Sequence, residues 1–373
     1  MTVLISRKKI LSSLLKKISD LKVNFEKGQL LGVDIGLSSV KLAVLSEIKK
    51  GKYRLDKFRS IPLSEAAIIE DDIQKPEEII DALVRILTEE KIGKKIACLG
   101  MNGPNTVTKR LQVPDGPMDD VEDNILWESE QYIPFGADDA EISFSIIRRI
   151  EEEDVVDAIV GAARIDVVER YQELLKEAGL TAKIVDLNVF AIVNIFELVF
   201  ENSLEELSNE GAIIIDFGAQ YTSVIVYKNN GPVLTKEVPI GGVLLTEEIQ
   251  RTMGVSYDEA EDLKIHGDDN GNLPEEILGI LEVHIEKLMD ELKKVLNFYI
   301  ASGSSEQVGR CYITGGSAKL PGVKESLEEL INIDVEEINP FEVIGIKKAF
   351  DEDELDDIAS SGLVSLGLAM RKI

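Results

Sequence analysis

The strongest constraint on this chain is a strand–turn–strand unit that occurs twice, its aspartates 182 residues apart in a sequence of 373. In the first copy Leu30 to Val33 is an apolar run, Asp34-Ile-Gly36-Leu37-Ser38-Ser39 makes the turn, and Val40 to Leu45 returns. In the second, Ala212 to Ile215 leads into Asp216-Phe-Gly218-Ala219-Gln220, and Thr222 to Tyr227 returns. A duplicated hairpin at half-chain spacing points to an internal duplication. The turns also share a chemistry. Glycine permits backbone geometry closed to other residues, so turn N–H groups can converge on an anion. Ser38 and Ser39 add hydroxyl donors. An aspartate at a strand end repels phosphate, but it can hold a hydrated Mg²⁺ that neutralises phosphate charge. Two such loops face to face would clamp a polyphosphate from both sides. The plainer alternative is a pair of purely structural hairpins.

Helices and strands alternate between and after the hairpins, which predicts an α/β protein with a helix-flanked sheet in each half. Pro76 opens a helix with Ile79, Leu83, Ile86 and Leu87 on one face. Pro117 opens another, with Met118, Val121 and Ile125 expected inward and the Pro134 break beyond it. Ser143 to Ile150 and Val155 to Ala162 read as a strand pair, and Asp166 with Glu169 as the cap of a helix ending at Gly179. After the second hairpin, Val233 to Val238 is a strand, Gly241-Gly242 a turn and Thr246 the start of a short helix. A long helix is expected from about Pro274 to Tyr299, and the acidic stretch Asp351 to Asp357 as a solvated loop.

The length favours two domains rather than one core. Net charge is −28, which argues against nucleic-acid binding, where a basic footprint is required. No apolar run is long enough to span a bilayer, and no secretory leader is visible at the start, so a cytoplasmic location is expected. Residues 1–28 run against the overall charge, with seven lysines and arginines against Asp20 and Glu26. Leu11, Leu14, Leu15, Ile18 and Leu21 fall there at helical spacing. A basic amphipathic helix results, which packs on the protein's own body or docks on a membrane surface or partner. Cys98 and Cys311 read as buried reduced thiols, and His266 and His284 lack a ligand pattern for zinc.

Two further elements complete the candidate site. Tyr312-Ile-Thr314-Gly315-Gly316-Ser317 is a strand entering a glycine turn that lets backbone approach a ligand. Ser256 and Glu259 form a capping box that sets Glu261 and Lys264 on one helical face, suited to ribose hydroxyls or simply an exposed ion pair.

In this order the four elements resemble the superfamily of actin, Hsp70 and FtsA, over residues 29–373. The resemblance implies two ribonuclease-H-like domains with an FtsA-type inserted subdomain, holding ATP and Mg²⁺ in the cleft between them. It makes Asp34, Gly36, Leu37, Ser38, Ser39 and Lys41 the first phosphate loop and Asp216, Gly218, Ala219 and Gln220 the second. Gly241, Gly242, Gly315, Gly316 and Ser317 would approach the nucleotide, and Glu261 with Lys264 the ribose. Asp34 and Asp216 would hold Mg²⁺ through water. The implied boundaries are residues 29–200 for the first domain, with the insertion at about 107–180, and 201–345 for the second, with its nucleotide-side subdomain at about 246–295. Residues 346–373 would return to the first domain.

Within that superfamily, Leu31-Gly-Val-Asp-Ile-Gly36, Glu130-Gln131-Tyr132-Ile133-Pro134-Phe135 and Gly367-Leu-Ala-Met-Arg371 resemble the PilM family of type IV pilus assembly proteins. That resemblance implies a scaffold peripheral to the inner membrane, with the N-terminal cytoplasmic peptide of a PilN-like protein docked near Tyr132, Ile133 and Phe135. Pilus motor or platform proteins and self-association are further partners it allows. Relatives that hydrolyse ATP briskly place Glu or Gln at the start of the interdomain helix, where this chain has Asn188. Asn can orient a water but cannot accept its proton, which predicts slow turnover unless nearby Asp186 substitutes. The alternatives are an FtsA-like filament protein and an actin-fold ATPase or small-molecule kinase.

Overall fold

The protein is described by a computed structural model over residues 30–69, 71–268, 272–301, 308–347 and 350–373. The basic helix expected in residues 1–28 lies outside the described residues. In chain order the strands are β1 (Leu31–Ile35), β2 (Ser39–Lys49), β3 (Lys52–Pro62), the short pair β4 (Ile68–Ile69) and β5 (Asp72–Ile73), then β6 (Ile96–Met101), β7 (Thr106–Pro114), β8 (Ala140–Ile150), β9 (Val155–Arg164) and β10 (Thr181–Leu187). The second half supplies β11 (Ala212–Phe217), β12 (Thr222–Lys228), β13 (Gly231–Val238), β14 (Arg310–Thr314), β15 (Val335–Glu337) and β16 (Gly345–Ile346).

The duplication read from the hairpins extends to whole sheets. The first is ordered β10-β6-β1-β2-β3-β16 and the second β15-β14-β11-β12-β13. In each, the first strand pairs antiparallel with its hairpin partner and parallel with a later strand. β1 and β11 are covered on both faces, which is why each is an unbroken apolar run up to its aspartate. A third sheet, β7-β9-β8, carries the helix Met118–Glu130 on one face and forms its own small core around Val121, Ile125, Val156 and Val160.

One core is shared by both main sheets: Leu30, Ala43 and Cys98 from the first meet Ile214, Tyr227 and Tyr312 from the second. The helices Asn188–Val199 and Leu363–Ala369 cross within it. A Cβ on Gly367 would lie 2.1 Å from the Ala191 carbonyl oxygen, so only glycine lets these backbones approach. Phe196 packs at a tilt on Tyr227 and edge-to-face on Tyr312, with ring centroids 5.2 and 5.4 Å away, and so fixes the connecting helix to the second sheet. Among the described residues no helix is long and apolar enough to cross a membrane.

Several local expectations are corrected. Glu352–Ser361 is a helix, not a loop; Asp351 caps it in a box with Glu354, and the acidic first turn suits the helix dipole. Asp166 is not a cap. It sits inside the helix Ile165–Glu177 and pairs with Arg164 at the N-cap. Met118 points outward, 47% exposed, while Val121 and Ile125 are buried. The helix expected from Thr246 starts at Gly242.

Candidate functional site

The two aspartates end β1 and β11 at a common cleft. Asp34 is 7% exposed, with the Lys41 ammonium 3.7 Å away across the hairpin. Burial raises its carboxyl above the ordinary range, opposed by Lys41 and by a hydrogen bond from Asn188. Asp216 is pushed up to about 7 by burial and then by the charge of Asp34, with Lys41 opposing. Burial is the larger cause at both carboxylates, and the charge of Asp34 adds to it at Asp216.

The two turns close in the same way. The Gly36 N–H donates to the Ser39 carbonyl and the Gly218 N–H to the Tyr221 carbonyl, each at 3.0 Å. The floor is built from glycines packed against the second turn. At Gly315 φ is +95°, and a Cβ would fall 2.4 Å from the Phe217 carbonyl oxygen and 2.5 Å from Asp216 Oδ1. Gly242 opens the helix Gly242–Met253 and donates to the Gly218 carbonyl at 3.1 Å, while Ser317 Oγ donates to the same oxygen at 3.2 Å.

The capping box at Ser256 and Glu259 is present, and it delivers Lys264 and Glu261 into the cleft as a 2.6 Å ion pair. This is not an exposed surface pair: Lys264 is 9% exposed and also donates to Thr246 Oγ1 at 2.9 Å. Together these elements enclose a cavity of about 1020 Å³. Its walls include Asp34, Gly36, Leu37, Ser38, Ser39, Lys41, Asn188, Asp216, Gly218, Ala219, Gln220, Gly242, Glu261, Lys264, Gly315, Gly316 and Ser317. Gly241 lies behind the wall, where a Cβ would meet the Ala219 carbonyl oxygen at 2.4 Å.

Asp186 does not face the cleft. It is 1% exposed, and its carboxylate is committed to Arg371 at 2.5 Å. Asn188 does face it, with a buried Oδ1 that has no hydrogen-bond partner. Of the candidate partner residues, Tyr132 is 40% exposed beneath the Lys109 ammonium, Phe135 is half-buried, and Ile133 is buried in the body.

Two contacts between the halves were not foreseen from the sequence. Tyr221, just past the second turn, donates its hydroxyl to Asp71, and the Gly103 N–H donates to Glu237 Oε1 at 3.1 Å. A lone acid in a loop looks like any solvated charge. Only the identity of Tyr221 beside the turn offered a hint.

The residues fit a magnesium nucleotide. Two buried carboxylates with raised pKa invite a cation, glycines leave room for a ligand against backbone, and the Asn188 oxygen awaits a donor. Among the described residues no group of three or more His, Cys, Asp or Glu could hold a metal unaided. The remaining ligands would then be water and phosphate oxygens, the usual habit of Mg²⁺.

Duplicated sheets of this order, with an aspartate ending the first strand of each and glycine turns around a shared cleft, define the actin-like fold. Residues 32–373 match the family model described as type IV pilus assembly protein PilM, and the chain belongs to that family. A chain in a solved PilM-PilN type IV pilus biogenesis complex is 26% identical with a TM-score of 0.80, covering 92% of this chain and 98% of that one. The ethanolamine utilization protein EutJ of Carboxydothermus hydrogenoformans shares the fold at 16% identity and a TM-score of 0.52, covering 90% of this chain and 89% of its own. The cell division protein FtsA of Enterococcus hirae is 23% identical over 366 residues, 83% of this chain and 77% of that protein. FtsA of Enterococcus faecalis is 26% identical over 147 residues, 34% of this chain and 33% of its own, so the chain spans about a third of that relative.

Proposed function

We propose that this protein is a cytoplasmic ATP-binding scaffold of the type IV pilus assembly platform, peripheral to the inner membrane through its partners. ATP with Mg²⁺ would sit between the two turns, and the N-terminal peptide of a PilN-like membrane protein would be the partner. The observation that carries the nucleotide reading is the pair Asp34 and Asp216, two carboxylates raised above their ordinary pKa chiefly by burial, in the lining of one glycine-walled cavity. Asp34 and Asp216 would hold the cation through water. The Gly36 and Gly218 turns would present N–H groups to the phosphates, and Glu261 with Lys264 would take the ribose. The cation would supply neutralisation of phosphate charge.

Turnover is expected to be slow. Asn188 offers a carboxamide where a base would be needed, and Asp186 is held by Arg371. A scaffold requires the nucleotide to alter what the partner meets, and a physical link is in place. Arg110 on β7 grips Asp157 and donates to the carbonyls of Lys228 and Asn229 in the β12–β13 turn, at 2.9 and 2.8 Å. The inserted sheet is thereby fastened to the second lobe, and a change in cleft closure would reach it. The PilN-like partner is supported by family membership and by the PilM-PilN relative. Its site is proposed beside the inserted sheet, where Tyr132 and Phe135 lie.

Calorimetric titration of Mg-ATP into the wild type and Asp216→Asn tests the nucleotide reading. Saturable binding that needs Mg²⁺ and is lost in the variant is expected. Absence of binding in the wild type would overturn it.

A further inference from the structure

On a chain of charge −28, one end of the first sheet has the opposite character. The tip of the β2–β3 hairpin presents Lys49, Lys50 and Lys52, all exposed, and Ile48 stands 58% exposed beside them. Lys372 lies on the same hairpin, its ammonium 2.6 Å from Glu47 Oε2 and 5.6 Å from the Tyr53 ring centroid. Glu47 is already occupied, by Lys372 and by the Gly51 N–H at 2.8 Å.

The chain also enters the body here, since the Leu30 N–H donates to the Arg371 carbonyl at 3.3 Å. The sequence before that point carries the seven basic residues and the leucine-rich pattern of residues 1–28. Asp34 and the nucleotide cavity lie at the opposite end of β1 and β2, where Ser39 faces Pro62. Contact at the tip would therefore leave the cleft open.

We propose that this end of the protein is a binding face for an anionic lipid surface. Lysines on flexible stems gain from the negative potential of acidic headgroups, and an isolated aliphatic tip such as Ile48 suits the headgroup boundary. A rigid apolar partner would need an extended apolar patch, and among residues 47–52 the exposed large hydrophobic side chain is Ile48 alone. The acidic remainder of the chain is repelled by the same surface, which orients the molecule with this end down. The inference uses none of the cleft residues and stands apart from the nucleotide and partner reading.

The test is flotation of the full chain with vesicles of phosphatidylcholine alone and of phosphatidylcholine mixed with phosphatidylglycerol, at low and high salt. Recovery with the anionic vesicles alone, weakened by salt, is expected. Combined Lys49→Glu, Lys50→Glu and Lys52→Glu should weaken partitioning roughly tenfold or more, since each lysine contributes separately. The thermal melt of this variant should match the wild type, because these side chains are solvated. No recovery with anionic vesicles, or undiminished recovery of the folded variant, would overturn the proposal. Equal capture by polyglutamate-coated beads and anionic vesicles would also overturn it, in favour of an acidic protein partner.

Discussion

Tyr221 donates its hydroxyl to the carboxylate of Asp71 at the mouth of the cleft, joining the second turn of one lobe to the β4–β5 turn of the other. Glu237 and the Gly103 N–H make a second bridge nearby. Both contacts span the cleft mouth and would break if it opened. A hydrogen bond to a charged acceptor contributes about 1.5–3 kcal/mol. Tyr221→Phe should therefore speed nucleotide release roughly tenfold, with the melting temperature lowered by about a few degrees. Stopped-flow release of a fluorescent ATP analogue checks this, and an unchanged rate would mean that the bridge does not gate the cleft.

Asp216 gives the ligand-free protein a characteristic pH dependence. Its folded pKa, about 7, lies above the ordinary 3.8, so the folded state holds a proton that the unfolded state has released. The associated stability is present below 3.8 and lost as pH rises through about 7. Asp216→Asn removes that loss. The variant should melt higher than the wild type above pH 7, with the gap narrowing as pH falls and closing only below 3.8, while Mg-ATP affinity falls roughly a hundredfold or more. Calorimetric melts across pH, paired with the titration, separate the two effects.

Asn188 hydrogen-bonds Asp34 and offers no base. Asn188→Ala should weaken Mg-dependent ATP binding roughly tenfold through the lost donor, and leave the rate of phosphate release unchanged. A large fall in turnover in this variant would assign Asn188 a catalytic role.

Arg110 and Asp157 form a buried pair, 10% and 2% exposed. Arg110→Met leaves the Asp157 carboxylate to Arg148 alone, 3.2 Å away, and should cost up to about 3 kcal/mol, whereas Arg110→Met combined with Asp157→Asn should cost less. Denaturant melts of the double-mutant cycle measure the difference. If the link carries the nucleotide signal, the double variant also loses ATP dependence in partner binding.

Much of the site was legible because its chemistry is local. Asp34, Gly36, Asp216, Gly218, Gly315 and the Ser256–Glu259 box each have a short-range signature, since a turn must be glycine and a cap must accept an N–H. The duplicated hairpin carried the fold for the same reason. What stayed hidden depends on distant partners. Asp186 stands two residues from Asn188, yet β10 places it beside Arg371, 185 residues away. β7 reads Thr-Val-Thr-Lys-Arg, a polar segment that becomes a strand through pairing with β9. The acidic helix at Glu352–Ser361 looked solvated because its charges are indeed outward, and only the Asp351 cap and buried Ile358 betray it.

The most direct test of the scaffold account is calorimetric titration of a PilN-like N-terminal cytoplasmic peptide into the protein with and without Mg-ATP. Micromolar or tighter binding that strengthens with Mg-ATP is predicted, with the gain abolished in Asp216→Asn. Equal binding in both conditions would contradict nucleotide gating. No binding in either, alongside brisk ATP turnover, would contradict the scaffold itself.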